Sequence, residues 1–70
     1  MTEVRAELVG TVWKITSTVG ATVAEEDVLL ILESMKMEIS VTAPRAGTVK
    51  EIRVKEADVV KEGQVLVILE

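Results

Sequence analysis

Lys36 sits between two methionines in the run Glu33-Ser34-Met35-Lys36-Met37-Glu38-Ile39. No charged residue adjoins it, and the run reads as a tight turn, so the amine is set out rather than paired. A lysine nitrogen is a nucleophile only when deprotonated, a small minority at neutral pH. Nothing adjacent in sequence is an obvious base that would enlarge that fraction. The rest of the chain offers little other chemistry. It has no histidine and no cysteine, which removes the commonest general base and any thiolate metal site. With no tyrosine and no phosphate-binding loop either, an independent enzyme is a poor reading.

The elements that must hold this lysine are written into the chain twice. Sliding the sequence by 37 positions lays residues 4–33 on 41–70 without a gap. Identities fall at Val4/Val41, Ala6/Ala43, Gly10/Gly47, Thr11/Thr48, Val12/Val49, Ile15/Ile52 and Val23/Val60. They continue at Glu25/Glu62, Val28/Val65, Leu29/Leu66, Ile31/Ile68, Leu32/Leu69 and Glu33/Glu70, where chance gives roughly three in all. Such a repeat implies a quasi-two-fold domain of paired half-sheets over residues 1–70. Residues 34–37 have no counterpart, so a function confined to one place is expected there. The pseudo-symmetric partner of the Lys36 turn is the gap between the chain ends, which puts lysine and termini at opposite tips, as suits something carried on a tether.

Periodicity supplies strands and no helix. Ile39, Val41 and Ala43 alternate with polar residues, as a half-buried strand requires. Val28–Leu32 and Val65–Leu69 are continuous apolar runs, consistent with strands covered on both faces. Apolar parity switches after Val12 and again after Val49, which reads as a β-bulge in each copy. Ala43-Pro44-Arg45-Ala46-Gly47 is a turn. The fold class is all-β: a flattened barrel or sandwich of two antiparallel sheets. Pairing Leu32 with Ile39 leaves Met35-Lys36 as a two-residue hairpin loop, which favours positive φ and normally Asn-Gly. It also sets Glu33 against Glu38, a like-charge pair. On these residues alone, a longer relaxed turn with a solvated lysine is the plainer alternative.

Glu33-Ser34-Met35-Lys36-Met37-Glu38 resembles the Glu-(Ala/Ser)-Met-Lys-Met attachment motif of biotin carboxyl carrier domains. Ala43-Pro44-Arg45-Ala46-Gly47-Thr48-Val49 is similar to the segment that usually follows it. Gly63-Gln64-Val65-Leu66 with Leu69-Glu70 is similar to the closing strand, so the likeness covers nearly the whole chain, closest to small single-domain biotin/lipoyl attachment proteins. The resemblance implies a barrel-sandwich hybrid in which a biotin protein ligase acylates Lys36 with biotin. The domain is then substrate, not catalyst. Its arm would take carboxyl from ATP-activated bicarbonate at a biotin carboxylase site and deliver it at a carboxyltransferase site. Met35 and Met37 would be contact residues for ligase and partners, with Ser34 and Glu33 assisting; lipoyl domains typically carry Asp-Lys-Ala instead. Gap-filling is the competing role for the methionines, and a structural one for Glu33, which recurs as Glu70. Glu26 and Ala57 stand where the repeat has Gly63 and Gly20, a cost if those turns need positive φ. The equal spacing of Ile15–Val23 and Ile52–Val60 leaves no room for the protruding insert of some acetyl-CoA carboxylase carriers. Trp13, the only aromatic residue, reads as a partly buried anchor.

A formal net charge of −4 with interspersed signs argues against nucleic-acid binding. No apolar run approaches the roughly 18 residues of a membrane span, and no signal pattern opens the chain. A cytoplasmic protein, monomeric in isolation, is the expectation. A lipoyl carrier and an unmodified adaptor barrel remain as alternatives.

Overall fold

Eight strands and no helix form in the computed structural model, which describes residues 1–70: β1 Thr2–Arg5, β2 Gly10–Ile15, β3 Thr22–Val23, β4 Val28–Ser34, β5 Met37–Thr42, β6 Gly47–Ile52, β7 Val59–Val60 and β8 Val65–Leu69. Two antiparallel four-stranded sheets result, ordered β1-β8-β6-β3 and β5-β4-β2-β7. Advancing each strand of the first half by 37 residues gives its counterpart in the second, and the operation exchanges the two sheets. Registers obey it as well: Leu32 opposite Ile39 repeats as Leu69 opposite Thr2, and Val12 opposite Leu32 repeats as Val49 opposite Leu69.

The halves do not each form a sheet. Every sheet has a central pair from one half and both edge strands from the other, so neither half completes a layer alone. Between the layers lies an aliphatic core that includes Val12, Leu29, Leu30, Leu32, Val49, Val60, Leu66, Val67 and Leu69, all essentially buried. Small β-branched and branched side chains suit a molecule only 17 Å across and 30 Å long. Both parity breaks are bulges, at Trp13 in β2 and Lys50 in β6, where the register shifts by one residue. Because of them, Val12 and Ile15 face inward although they are three residues apart.

Four equivalent corners connect the strands: Thr18–Ala21, Ala24–Asp27, Lys55–Asp58 and Lys61–Gln64. In each, the N–H of the fourth residue donates to the carbonyl of the first, at 3.0–3.1 Å. In each, the third residue has positive φ: Gly20 +93°, Glu26 +72°, Ala57 +78°, Gly63 +86°. This is the type II pattern, and glycine is its natural third residue. Side chains of Asp27, Asp58 and Gln64 reinforce three corners by accepting the N–H of Ala24, Lys55 and Lys61. The six-residue connections Thr16–Ala21 and Arg53–Asp58 match in length, so no insert protrudes.

Glu26 and Ala57 are exposed and occupy a backbone region unfavourable to side chains. Glu26→Gly and Ala57→Gly are each expected to stabilise the fold by about 0.5–1 kcal/mol, the relief of left-handed backbone exceeding glycine's entropy cost. Urea midpoints should rise for both and fall for the reverse change Gly20→Ala.

Candidate functional site

Strands β4 and β5 pair without interruption from Leu30/Val41 to Ser34/Met37, leaving Met35 and Lys36 as the whole loop. Their φ values, +52° and +64°, make a type I′ turn, whose twist matches that of the flanking strands. The relaxed-turn alternative does not occur. The turn is built from side chains that disfavour it, so the ladder below must impose the conformation. Glu33 and Glu38 stand opposite each other, and neither carboxylate has a cation partner.

Two contacts fix the base of this hairpin to the start of β2. Ser34 Oγ donates to the Val9 carbonyl at 2.9 Å. Gly10 lies so near that a Cβ there would meet the Glu33 carbonyl oxygen at 2.9 Å. The symmetry-related Gly47 meets the Glu70 carbonyl in the same way, at 2.8 Å. Glycine is therefore a packing requirement in both copies. Sequence periodicity gave no sign of the Ser34–Val9 bond, because Ser34 has no repeat partner.

Lys36 is exposed, and its amine makes no hydrogen bond and no ion pair. Met35 and Met37 are also exposed, 92% and 61%, so neither fills a gap in the core. Ser34 is half-buried and engaged with Val9, and Glu33 is exposed. Trp13 is 49% exposed on its bulge and takes no part in the core cluster. From the turn, β5 runs its six residues, about 20 Å, to the Pro44–Arg45 corner. There Arg45 Nε donates to Thr2 Oγ1, and β1 begins beside the end of β8. Lysine and chain ends thus lie at opposite tips of the long axis.

A cleft of about 390 Å³ opens between edge strands β1 and β5, lined by repeat-related pairs such as Glu3/Ser40, Val4/Val41 and Arg5/Thr42. None of Glu33–Glu38 borders it, so the exposed amine and the cleft are separate features. No group of acidic, histidine or cysteine residues could hold a metal ion, and no helix is long and apolar enough to cross a membrane.

Comparison with known proteins adds a family. The model of the biotin/lipoyl family, described as "Biotin-requiring enzyme", matches residues 2–69. A biotin/lipoyl attachment protein of Bacillus subtilis is 44% identical over 63 residues, covering 90% of this chain and 86% of the relative. The dihydrolipoyllysine-residue acetyltransferase component of the pyruvate dehydrogenase complex of Cupriavidus necator is 49% identical over 51 residues, covering 73% of this chain and 9% of that protein. Among solved structures, the Kluyveromyces lactis urea carboxylase superposes with a TM-score of 0.94 at 32% identity, over 99% of this chain and 6% of that one.

Two stability changes follow from the turn and its base. Met35→Asn removes an exposed side chain and places a residue tolerant of left-handed backbone in the turn, so thermal stability should rise by about 0.5–1 kcal/mol. Gly10→Ala should lower it by about 1–3 kcal/mol through overpacking against the Glu33 carbonyl. Amide-shift changes in that variant should concentrate at Glu33–Ser34.

Proposed function

The chain belongs to the biotin-requiring enzyme family, and on that premise we propose that Lys36 is the residue that carries biotin, joined through an amide to its side-chain nitrogen. The observation that carries this reading is the placement of one unpartnered amine at the apex of a hairpin, in a turn its residues disfavour. Residues held against local preference are expected where function requires them. Residues 1–70 then act as one carrier unit, a substrate of a biotin protein ligase and no catalyst.

The free amine attacks the acyl carbon of a ligase-bound biotinyl-adenylate, forming the amide C–N bond as the acyl–phosphate bond breaks and AMP leaves. The chain offers no neighbouring base, so the ligase must accept the proton. What the domain contributes is position. The hairpin is clamped by the β4–β5 ladder, by Ser34 on Val9 and by the close approach at Gly10. Bound biotin supplies reversible carriage of a carboxyl group, and we assign this chain to shuttling it between biotin carboxylase and carboxyltransferase sites. The superposition on a carboxylase supports that assignment. Attachment at the tip far from the chain ends gives the arm its reach, and tethering makes the search for each site intramolecular. Met35 and Met37 present adaptable thioethers to more than one partner, with Glu33 beside them. Amide formation makes the formal net charge of −4 one unit more negative.

A second reading is lipoyl carriage, favoured by the likeness to the dihydrolipoyllysine-residue acetyltransferase component. Met35 and Met37 oppose it, since the resemblance places Asp and Ala there in lipoyl domains.

Co-expression with a biotin protein ligase, followed by a streptavidin blot and intact mass, separates the readings. Wild type should gain one biotinyl group and Lys36→Arg none. A lipoyl mass on wild type, or biotin retained in Lys36→Arg, would contradict the proposal. The double change Met35→Asp/Met37→Ala should lower kcat/KM for biotinylation about tenfold, equivalent to about 1.4 kcal/mol of recognition energy. An unchanged rate would return the methionines to a structural role.

A further inference from the structure

Five lysines are exposed in this chain: Lys14, Lys36, Lys50, Lys55 and Lys61. An enzyme that acylates only one of them cannot select it by the amine. It must read the protein around the hairpin, over one of the two sheets.

The repeat shows which one, because it gives each sheet face a control. On the outer face of β1-β8-β6-β3, Ile68 lies in register between Glu3 and Glu51. Those carboxylates are held by Arg5 and Arg53, and Ile68 is only 8% exposed beneath them. On the outer face of β5-β4-β2-β7, the equivalent Ile31 lies between Ser40 and Lys14. Thr42 and Thr16 replace the two arginines, and neither ion pair exists. Ile31 is left half-buried, Trp13 takes the place of Lys50, and the exposed Val59 takes that of Thr22. This second face is continuous with the Lys36 hairpin, whose two strands belong to it. One copy of the design has its apolar residues covered by charge; the other, next to the lysine, has them open.

We propose that the outer face of the β5-β4-β2-β7 sheet, centred on Trp13 and Ile31, is the surface on which the acylating ligase docks to select Lys36. Tryptophan is one of the side chains enriched at the energetic centres of protein interfaces. The complementary surface is apolar where it receives the indole and meets Ile31, offers an acceptor to Lys14 beside them, and carries cations at the hairpin end opposite the unpaired carboxylates of Glu33 and Glu38. Covering the face with side chains that the fold already tolerates on its other sheet should abolish docking without unfolding the domain.

This proposal rests on the biotin-carrier reading, and steady-state biotinylation of the whole chain by a purified biotin protein ligase tests it. Trp13→Lys installs the residue of the equivalent position, and Ser40→Glu/Thr42→Arg transplants the Glu3–Arg5 pair. Each should raise KM about tenfold or more with kcat little changed, and Glu38→Lys should raise it through charge reversal. Glu3→Ser/Arg5→Thr, on the opposite sheet, should leave KM within about twofold. Wild-type KM from both Trp13→Lys and Ser40→Glu/Thr42→Arg, or an equal rise from the opposite-sheet control, overturns the docking surface. Absence of biotinylation on wild type overturns the carrier reading itself, a separate and recognisable result.

Discussion

Neither half of this chain can complete a sheet alone, and the rest of the molecule follows from that constraint. Each half supplies the central pair of one layer and the two edges of the other. The aliphatic core closes only when both layers exchange edges, so a 70-residue chain with no cysteine and no metal-ligand cluster gains its thin stability margin from both halves together. Interleaving also determines the ends. The chain passes from one half to the other through the β4–β5 hairpin, and the symmetric counterpart of that passage is left open, between Glu70 and Met1. A single hairpin tip opposite residues 1 and 70 is therefore a topological consequence, and it is where the proposed attachment site lies.

Backbone strain is distributed unevenly around this frame. Two of the four corners use glycine at the left-handed position, while Glu26 and Ala57 accept a modest cost. At the hairpin the concession is larger, with two consecutive non-glycine residues at positive φ and two carboxylates facing each other beneath them. Several fixed contacts hold the tip in place: the ladder, the Ser34 hydroxyl on Val9, and the fit of Gly10 under the Glu33 carbonyl. The rigid part ends at the peptide backbone of Lys36, and the side chain beyond it is free. A carrier needs that combination, a defined origin and a mobile arm.

Much of this was legible in the residues. The parity breaks at Val12 and Val49 became the bulges at Trp13 and Lys50, and the Leu32/Ile39 pairing emerged with the two-residue loop it required. Period-2 patterning and repeats report faces and registers directly, because each depends on nearest neighbours along or across strands. The exchange of edge strands between layers was not legible, since apolar alternation is the same whichever sheet a strand joins. Nor was the Ser34–Val9 bond, which joins residues 25 apart. Trp13 is partly buried, as its aromatic body suggests, but the bulge that makes it an extra residue keeps it out of the core cluster and leaves half of it in solvent. The unequal faces emerge only when register shows that Ser40 and Lys14 flank Ile31 as Glu3 and Glu51 flank Ile68.

The central claim is that one lysine of five is held where a modifying enzyme can take it. Peptide mapping by tandem mass spectrometry of the protein isolated from its native host tests that claim most directly. The account predicts a biotinyl group on Lys36, and unmodified side chains at Lys14, Lys50, Lys55 and Lys61. Biotin on any of those four, or a Lys36 that is always bare in cells replete with biotin and ligase, would contradict it.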